Sequence, residues 1–158
     1  MSITTGKEAL RQVPLFAALD EALLEPLSAE LGQAEFAAGE RIFNEGDANS
    51  ALYVIRDGKV KIVRASSGKE LVLAVFDEGD CFGELSLCDG SPRSAAAVAM
   101  APTSTYVLPQ AAFDQFIAAH PVAATHVMNV LAVRLRLASE RLSDAVFLEF
   151  PARLAKRL

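Results

Sequence analysis

Residues 82–95, FGELSLCDGSPRSA, set a glycine, a carboxylate, a guanidinium and a hydroxyl in an order that suits a sugar phosphate. An extended apolar segment (residues 71–76) and a turn (residues 77–80) come first, so Gly83 is expected to open a short helix. Free N–H groups at a helix start, with no Cβ on Gly83 to block approach, offer a seat for a phosphate oxygen. Arg93 brings a planar, permanently charged fork to the same anion, and Ser94 follows with a hydroxyl donor. Between them, Asp89, Gly90, Ser91 and Pro92 have the turn chemistry to aim the arginine back over the helix start. Glu84 would repel a phosphate, so it is expected to point along the ligand to a group that donates hydrogen bonds, such as a ribose hydroxyl. Together, a phosphodiester, Arg93 and Glu84 leave a single net negative charge, which serves a triphosphate poorly. In the competing arrangement Glu84 caps the helix and pairs with Arg93 on the surface, a contact worth little.

The elements that must hold this run can be read from periodicity. A chain of 158 residues, 52% hydrophobic, can bury one sizeable core and is expected to be one domain with an extension. Residues 20–31 begin with the capping acid Asp20 and carry leucines at helical spacing, which predicts an amphipathic packing helix. From residue 35 to about 109, the runs LYVI, KVKIV, LVLAVF, AAVA and STYVL alternate with Gly, Asp, Asn and Ser turns, predicting an antiparallel sandwich or roll. Asp57-Gly58 is a hairpin signal. Helices follow, a short one over residues 110–119 and a long one from Pro121. Along the long helix Met128, Leu131, Leu135, Ala138, Leu142 and Ala145 are spaced three, four, three, four and three, the seam of a two-stranded coiled coil. A second stripe, Val130, Val133 and Leu137, lies beside it, so one stripe is expected to meet the roll and the other a second subunit in a symmetric dimer. Pro151 is expected to interrupt the helix, with a restart from Ala152.

The run 82–95 resembles the phosphate-binding cassette of cyclic-nucleotide-binding domains, in the form found in bacterial catabolite-activator and FNR type (Crp/Fnr) transcription regulators. Upstream, AAGERIFNEGDANSALYVIRDGKVKIVR and GKELVLAVFDEGDCFGE are similar to that family's β-roll, with Gly46, Gly58 and Gly79 at strand corners. Downstream, VLAVRLRLASERLSDAVFLEFPARLAKRL resembles its long dimer helix, hinge and first helix of a DNA-binding domain. The resemblance runs from about residue 14 to the end. It implies an α+β fold, an antiparallel, jelly-roll-like β-roll with N-terminal helices and a long C-terminal dimerisation helix. Residues 1–120 would be the cyclic-nucleotide-binding roll with its flanking helices, 121–149 the dimer helix, and 150–158 a hinge and the start of a winged helix-turn-helix. The chain is expected to be a sensor half trimmed before its DNA reader, the other reading being a natural protein that lacks one.

Carried over position by position, the resemblance implies ligand contacts from Gly83, Glu84 and Leu85, with the Glu84 carboxylate on the ribose 2'-hydroxyl. Arg93, Ser94 and Ala95 would hold the cyclic phosphate, and Leu73 and Ala74 would line the sugar and base. The family presents hydroxyl residues to the purine at two neighbouring helix positions, which here are Ala138 and Ser139. Ala138 departs from that pattern, and a lost neutral hydrogen bond costs about 0.5–1.5 kcal/mol, weakening selectivity for adenine, while Ser139 would reach a base in its own or its partner's pocket. The expected effector is cAMP, with cGMP and cyclic di-GMP open. Ligand between roll and long helix would shift the dimer packing and pass the choice through the hinge near Phe150 and Pro151 to DNA and RNA polymerase.

Other classes fit less well. Net charge is −5, and it divides unevenly: residues 1–120 carry nine Lys or Arg against seventeen Asp or Glu, residues 121–158 six against three. The acidic body is not expected to bind DNA by itself. Neither a membrane span nor a signal-peptide core is visible, so the expectation is a cytoplasmic protein with no membrane partner. Cys81 and Cys88 form neither a disulfide framework nor a metal knuckle. His120 and His126 lie six apart and off one helical face, so no metal site, cofactor or enzymatic activity is expected. Two alternatives of the same fold stay open. One is a redox or haem sensor using Cys81, the other a ligand-independent dimerisation scaffold.

Overall fold

The computed structural model describes the backbone of residues 5–157 and side chains of residues 5–146. Strands β1 (Gly32–Phe36), β2 (Arg41–Phe43), β3 (Leu52–Asp57), β4 (Val60–Ser66), β5 (Lys69–Phe76), β6 (Cys81–Phe82), β7 (Ala96–Ala99) and β8 (Thr103–Leu108) form two four-stranded sheets. One has the order β1-β8-β3-β6 and the other β2-β7-β4-β5, and every pairing is antiparallel. Helices α1 (Gly6–Arg11) and α2 (Glu21–Ser28) precede the roll, α3 (Glu84–Asp89) interrupts it, and α4 (Gln110–Ala119) and α5 (Pro121–Arg157) follow. This is the expected α+β roll with N-terminal helices and a long C-terminal helix.

Strand β3 explains how the layers join. Its side chains alternate with the period of two that a pleated strand imposes. Leu52 and Val54 enter a core shared with Leu10, Phe16, Leu24, Leu27 and Phe113 of the helical side, and Tyr53 and Ile55 face the roll interior with Phe43, Val60 and Phe82. An unbroken apolar run is therefore a strand buried on both faces.

Local readings needed correction in three places. Asp57-Gly58 is no hairpin: β3 pairs with β6 and β8, β4 pairs with β5 and β7, and the dipeptide carries the chain from one sheet to the other. Thr103 packs where a Gly58 side chain would stand, its Oγ1 in the place of an added Cβ. The actual two-residue hairpin is Ser67-Gly68, both at positive φ, between the paired Ser66 and Lys69. The first amphipathic helix is shorter than residues 20–31, because α2 ends at Ser28 and β1 starts at Gly32; Asp20 holds the N-cap position without a side-chain capping bond. Helix α5 runs on through Pro151 to Arg157 instead of restarting at Ala152. A proline removes one N–H and strains the preceding turn, which bends a helix more readily than it ends one.

Helix α5 meets α4 at 115° and begins against the body, where Ala123, Val127, Val130 and Leu131 pack on the helical core. Leu131 belonged to the expected intersubunit seam and Val130 to the stripe beside it, so body contact takes one residue from each. Farther along, the helix leaves the body, and residues 135–146 are exposed on every side, with Leu135 at 70% and Leu142 at 68%. Met128, Ala138 and Ala145 of the seam are exposed as well. Among the described residues, no single helix is long and apolar enough to cross a membrane.

Candidate functional site

Strand β6 ends at Phe82, and Gly83 takes a left-handed conformation (φ 85°) that turns the chain into the six-residue helix α3. A side chain at that position would be strained, and its Cβ would lie 2.5 Å from Arg93 Nη1 and 2.8 Å from the Ala51 carbonyl. Helix α3 closes on Gly90, again left-handed, and the Ser91 N–H donates to the Asp89 carboxylate at 2.9 Å, holding Asp89 below the usual carboxylate range. Two backbone bonds fix the next turn, Arg93 N–H to the Asp47 carbonyl at 2.9 Å and Gly46 N–H to the Arg93 carbonyl at 2.8 Å. The arginine is thus aimed back at the helix start, as its spacing implies.

Arg93 is only 4% exposed. Its Nη1 donates to the Gly83 carbonyl at 3.3 Å, and Nη2 donates to Asn49 Oδ1 at 3.2 Å and to the Ala51 carbonyl. The guanidinium carbon stands 4.0 Å from the centre of the Phe43 ring. All three acceptors are neutral, and among the described residues no carboxylate pairs with this side chain. Burial lowers its pKa, offset in part by Tyr53 and by the field of the Asp47 carboxylate, and its Nε is buried without a hydrogen-bond partner. The surface pair with Glu84 considered from sequence does not form.

Glu84 instead accepts from Arg134 of α5 at 2.6 Å, leaving its second oxygen buried and unpartnered. Sequence reasoning did not single out Arg134, although a cation within the apolar stretch VLAVRLRLA was the available signal. Neither Asn49 nor the aromatic wall was singled out.

These groups border a cavity of about 280 Å³ between α3 and the roll. Phe43, Ile62, Phe76, Phe82 and Leu85 form its apolar side, and Glu84, Ser86, Arg93 and Ser94 its polar end. Gly83 and Ala95 line it too, so six expected ligand residues (Gly83, Glu84, Leu85, Arg93, Ser94 and Ala95) come together here. Leu73 and Ala74 sit on β5 outside the lining, Leu73 at 49% exposure, and Ile62 and Phe76, not among the expected residues, line the cavity instead. Ser139 is exposed on the free part of α5 and does not line the cavity of its own chain. Cys81 is a wall residue whose thiol burial, reinforced by nearby Glu84, pushes up to about 12. No group of three or more metal-ligating side chains occurs among the described residues.

Residues 33–120 match the family model of the cyclic nucleotide-binding domain. A CRP-like cAMP-activated global transcriptional regulator of Mycobacterium tuberculosis is 34% identical over 152 residues, which is 96% of this chain and 68% of the relative. The crystal structure of the N-terminal domain of a transcriptional regulator from Streptomyces coelicolor superposes with a TM-score of 0.79 at 36% identity, covering 85% of this chain and 94% of that one. The catabolite activator protein of Thermus thermophilus gives 0.69 at 34% identity, covering 85% of this chain and 64% of that one. With the roll, the cassette and these relatives in agreement, the chain belongs to the cyclic nucleotide-binding domain family, as the sensor domain of a Crp/Fnr-type regulator.

Proposed function

We propose that this domain binds a cyclic mononucleotide, cAMP before cGMP, in the cavity beside α3, and that α5 carries the signal in a homodimer toward a DNA-binding domain. The carrying observation is Arg93, a buried guanidinium without an acidic partner, facing a cavity that also holds a half-satisfied Glu84. Arg134 neutralises Glu84, which leaves Arg93 as the positive charge at the pocket that no carboxylate pairs with directly, and a phosphodiester would fill that place. The unpartnered Glu84 oxygen is an acceptor for a ribose hydroxyl, and the Arg93 Nε a donor for phosphate. The relatives support cAMP as the first candidate through the cAMP-activated mycobacterial regulator. Dimerisation is supported by the exposed apolar residues Leu135 and Leu142, which α5 leaves without cover in one protomer.

Calorimetric titration with cAMP, cGMP and cyclic di-GMP in parallel, after nucleotide extraction proves the pocket empty, tests this reading. Saturable binding of cAMP or cGMP at one site per chain supports it. Saturation by cyclic di-GMP alone replaces the mononucleotide with a dinucleotide signal, and silence from all three with folded protein turns the domain into a scaffold or a redox or haem sensor.

A further inference from the structure

The cavity's arginine is oriented by a side chain that does not line the cavity. Asn49 sits in the loop before β3, and its amide makes three hydrogen bonds at once. Its Nδ2 donates to the Tyr53 hydroxyl at 2.9 Å, while its Oδ1 accepts from the Ala51 N–H at 3.0 Å and from Arg93 Nη2 at 3.2 Å. Tyr53 is itself fixed, buried and stacked on the Phe82 ring at 5.1 Å. The amide cannot turn its oxygen away from the guanidinium without losing the bonds from Ala51 and Arg93, because Nδ2 would then face both donors.

The choice of an amide has an electrostatic consequence. An aspartate here would be nearly the same shape and would accept from Arg93 equally well. It would also pair Arg93 directly with a carboxylate, where at present only the field of Asp47 reaches it, and a guanidinium neutralised at short range attracts a second anion less. Resting on the reading of the cavity as a cyclic-nucleotide site, we infer that Asn49 is a positioning residue that holds Arg93 in place while leaving its positive charge free for the ligand phosphate.

The test is binding of two probes, cAMP and its neutral phosphate methyl ester, to the wild-type chain and to Asn49→Asp and Asn49→Ser, with thermal melting as the check on folding. Asn49→Asp is expected to weaken cAMP binding about tenfold, the factor that corresponds to 1.4 kcal/mol, while affinity for the neutral ester is unchanged. Asn49→Ser is expected to weaken cAMP binding as well, by releasing the guanidinium without changing its charge, and it decides the matter if the aspartate variant fails to fold. Wild-type affinity for cAMP in both variants overturns the inference and leaves the cyclic-nucleotide reading standing. So does an equal loss for both probes in Asn49→Asp, which marks a packing role only. A wild-type chain that binds neither cAMP nor cGMP overturns both together.

Discussion

Arg134 on the long helix and Glu84 on the pocket helix form a 2.6 Å ion pair across 50 positions of sequence. It ties the edge of the cavity to α5 at the last turn before that helix leaves the body. Any ligand that engages Glu84 therefore acts on a group already bonded to α5.

Removing the cation tests this tie. In Arg134→Ala the Glu84 carboxylate stays partly buried without a partner and the pocket loses its net positive charge. Losing one positive charge beside the site should lower cAMP affinity by roughly tenfold in a calorimetric titration. Unchanged affinity would mean that the pair serves α5 packing alone.

Arg93→Ala should cost about 1.5–3 kcal/mol of nucleotide binding through the loss of charged hydrogen bonds. Its folding stability should hold up better than its affinity, because the substitution also removes a buried charge that lacks an acidic partner. Parallel titration and thermal melting separate the two effects.

Gly83→Ala should lower stability by about 1–3 kcal/mol, the usual cost of forcing a side chain into a left-handed backbone. The new methyl group would also displace the Arg93 guanidinium, only 2.5 Å away. Denaturant unfolding should register the first effect, and loss of cAMP binding the second.

Cys81 gives a pH signature. Its folded-state pKa of about 12 lies above that of a free thiol, so between the two the folded state holds a proton that the unfolded state releases. Stability from this group is complete below the unfolded pKa and declines as pH rises toward 12. At neutral pH a maleimide should therefore modify the native protein far more slowly than the urea-unfolded chain. Equal rates would contradict the buried, protonated thiol.

Leu135→Glu should abolish the proposed dimer. In one protomer the residue is 70% exposed, so the change costs little within the chain and acts on whatever covers the helix. Light scattering should report a monomer; a persisting dimer would move the interface away from this seam.

The cassette was legible in the sequence because its chemistry is local: glycine, carboxylate, turn and arginine all lie within residues 82–95. Arg134 and Asn49 were not, since each reaches the site from a distant element and neither belongs to a recognisable spacing. The roll was legible where strands are apolar, as in LYVI and AAVA. Strand β1, GQAEF, passed unread because glycine, glutamine, alanine and glutamate carry little strand preference, and pairing with β8 imposes its form. Asp57-Gly58 misled for a related reason. A dipeptide specifies a bend, whereas partner choice depends on strands far away in sequence, and here the bend serves a change of sheet.

The exposed stretch of α5 beyond Arg134 also sets a mechanical ratio. Twelve residues separate Arg134 from Val146, a lever arm of about 18 Å at 1.5 Å per residue. A tilt of about 10° pivoting at Arg134 would sweep Val146 through roughly 3 Å, while groups at the pivot itself move by a small fraction of that. Any rotation of the helix about the ion pair would therefore be magnified along the free arm.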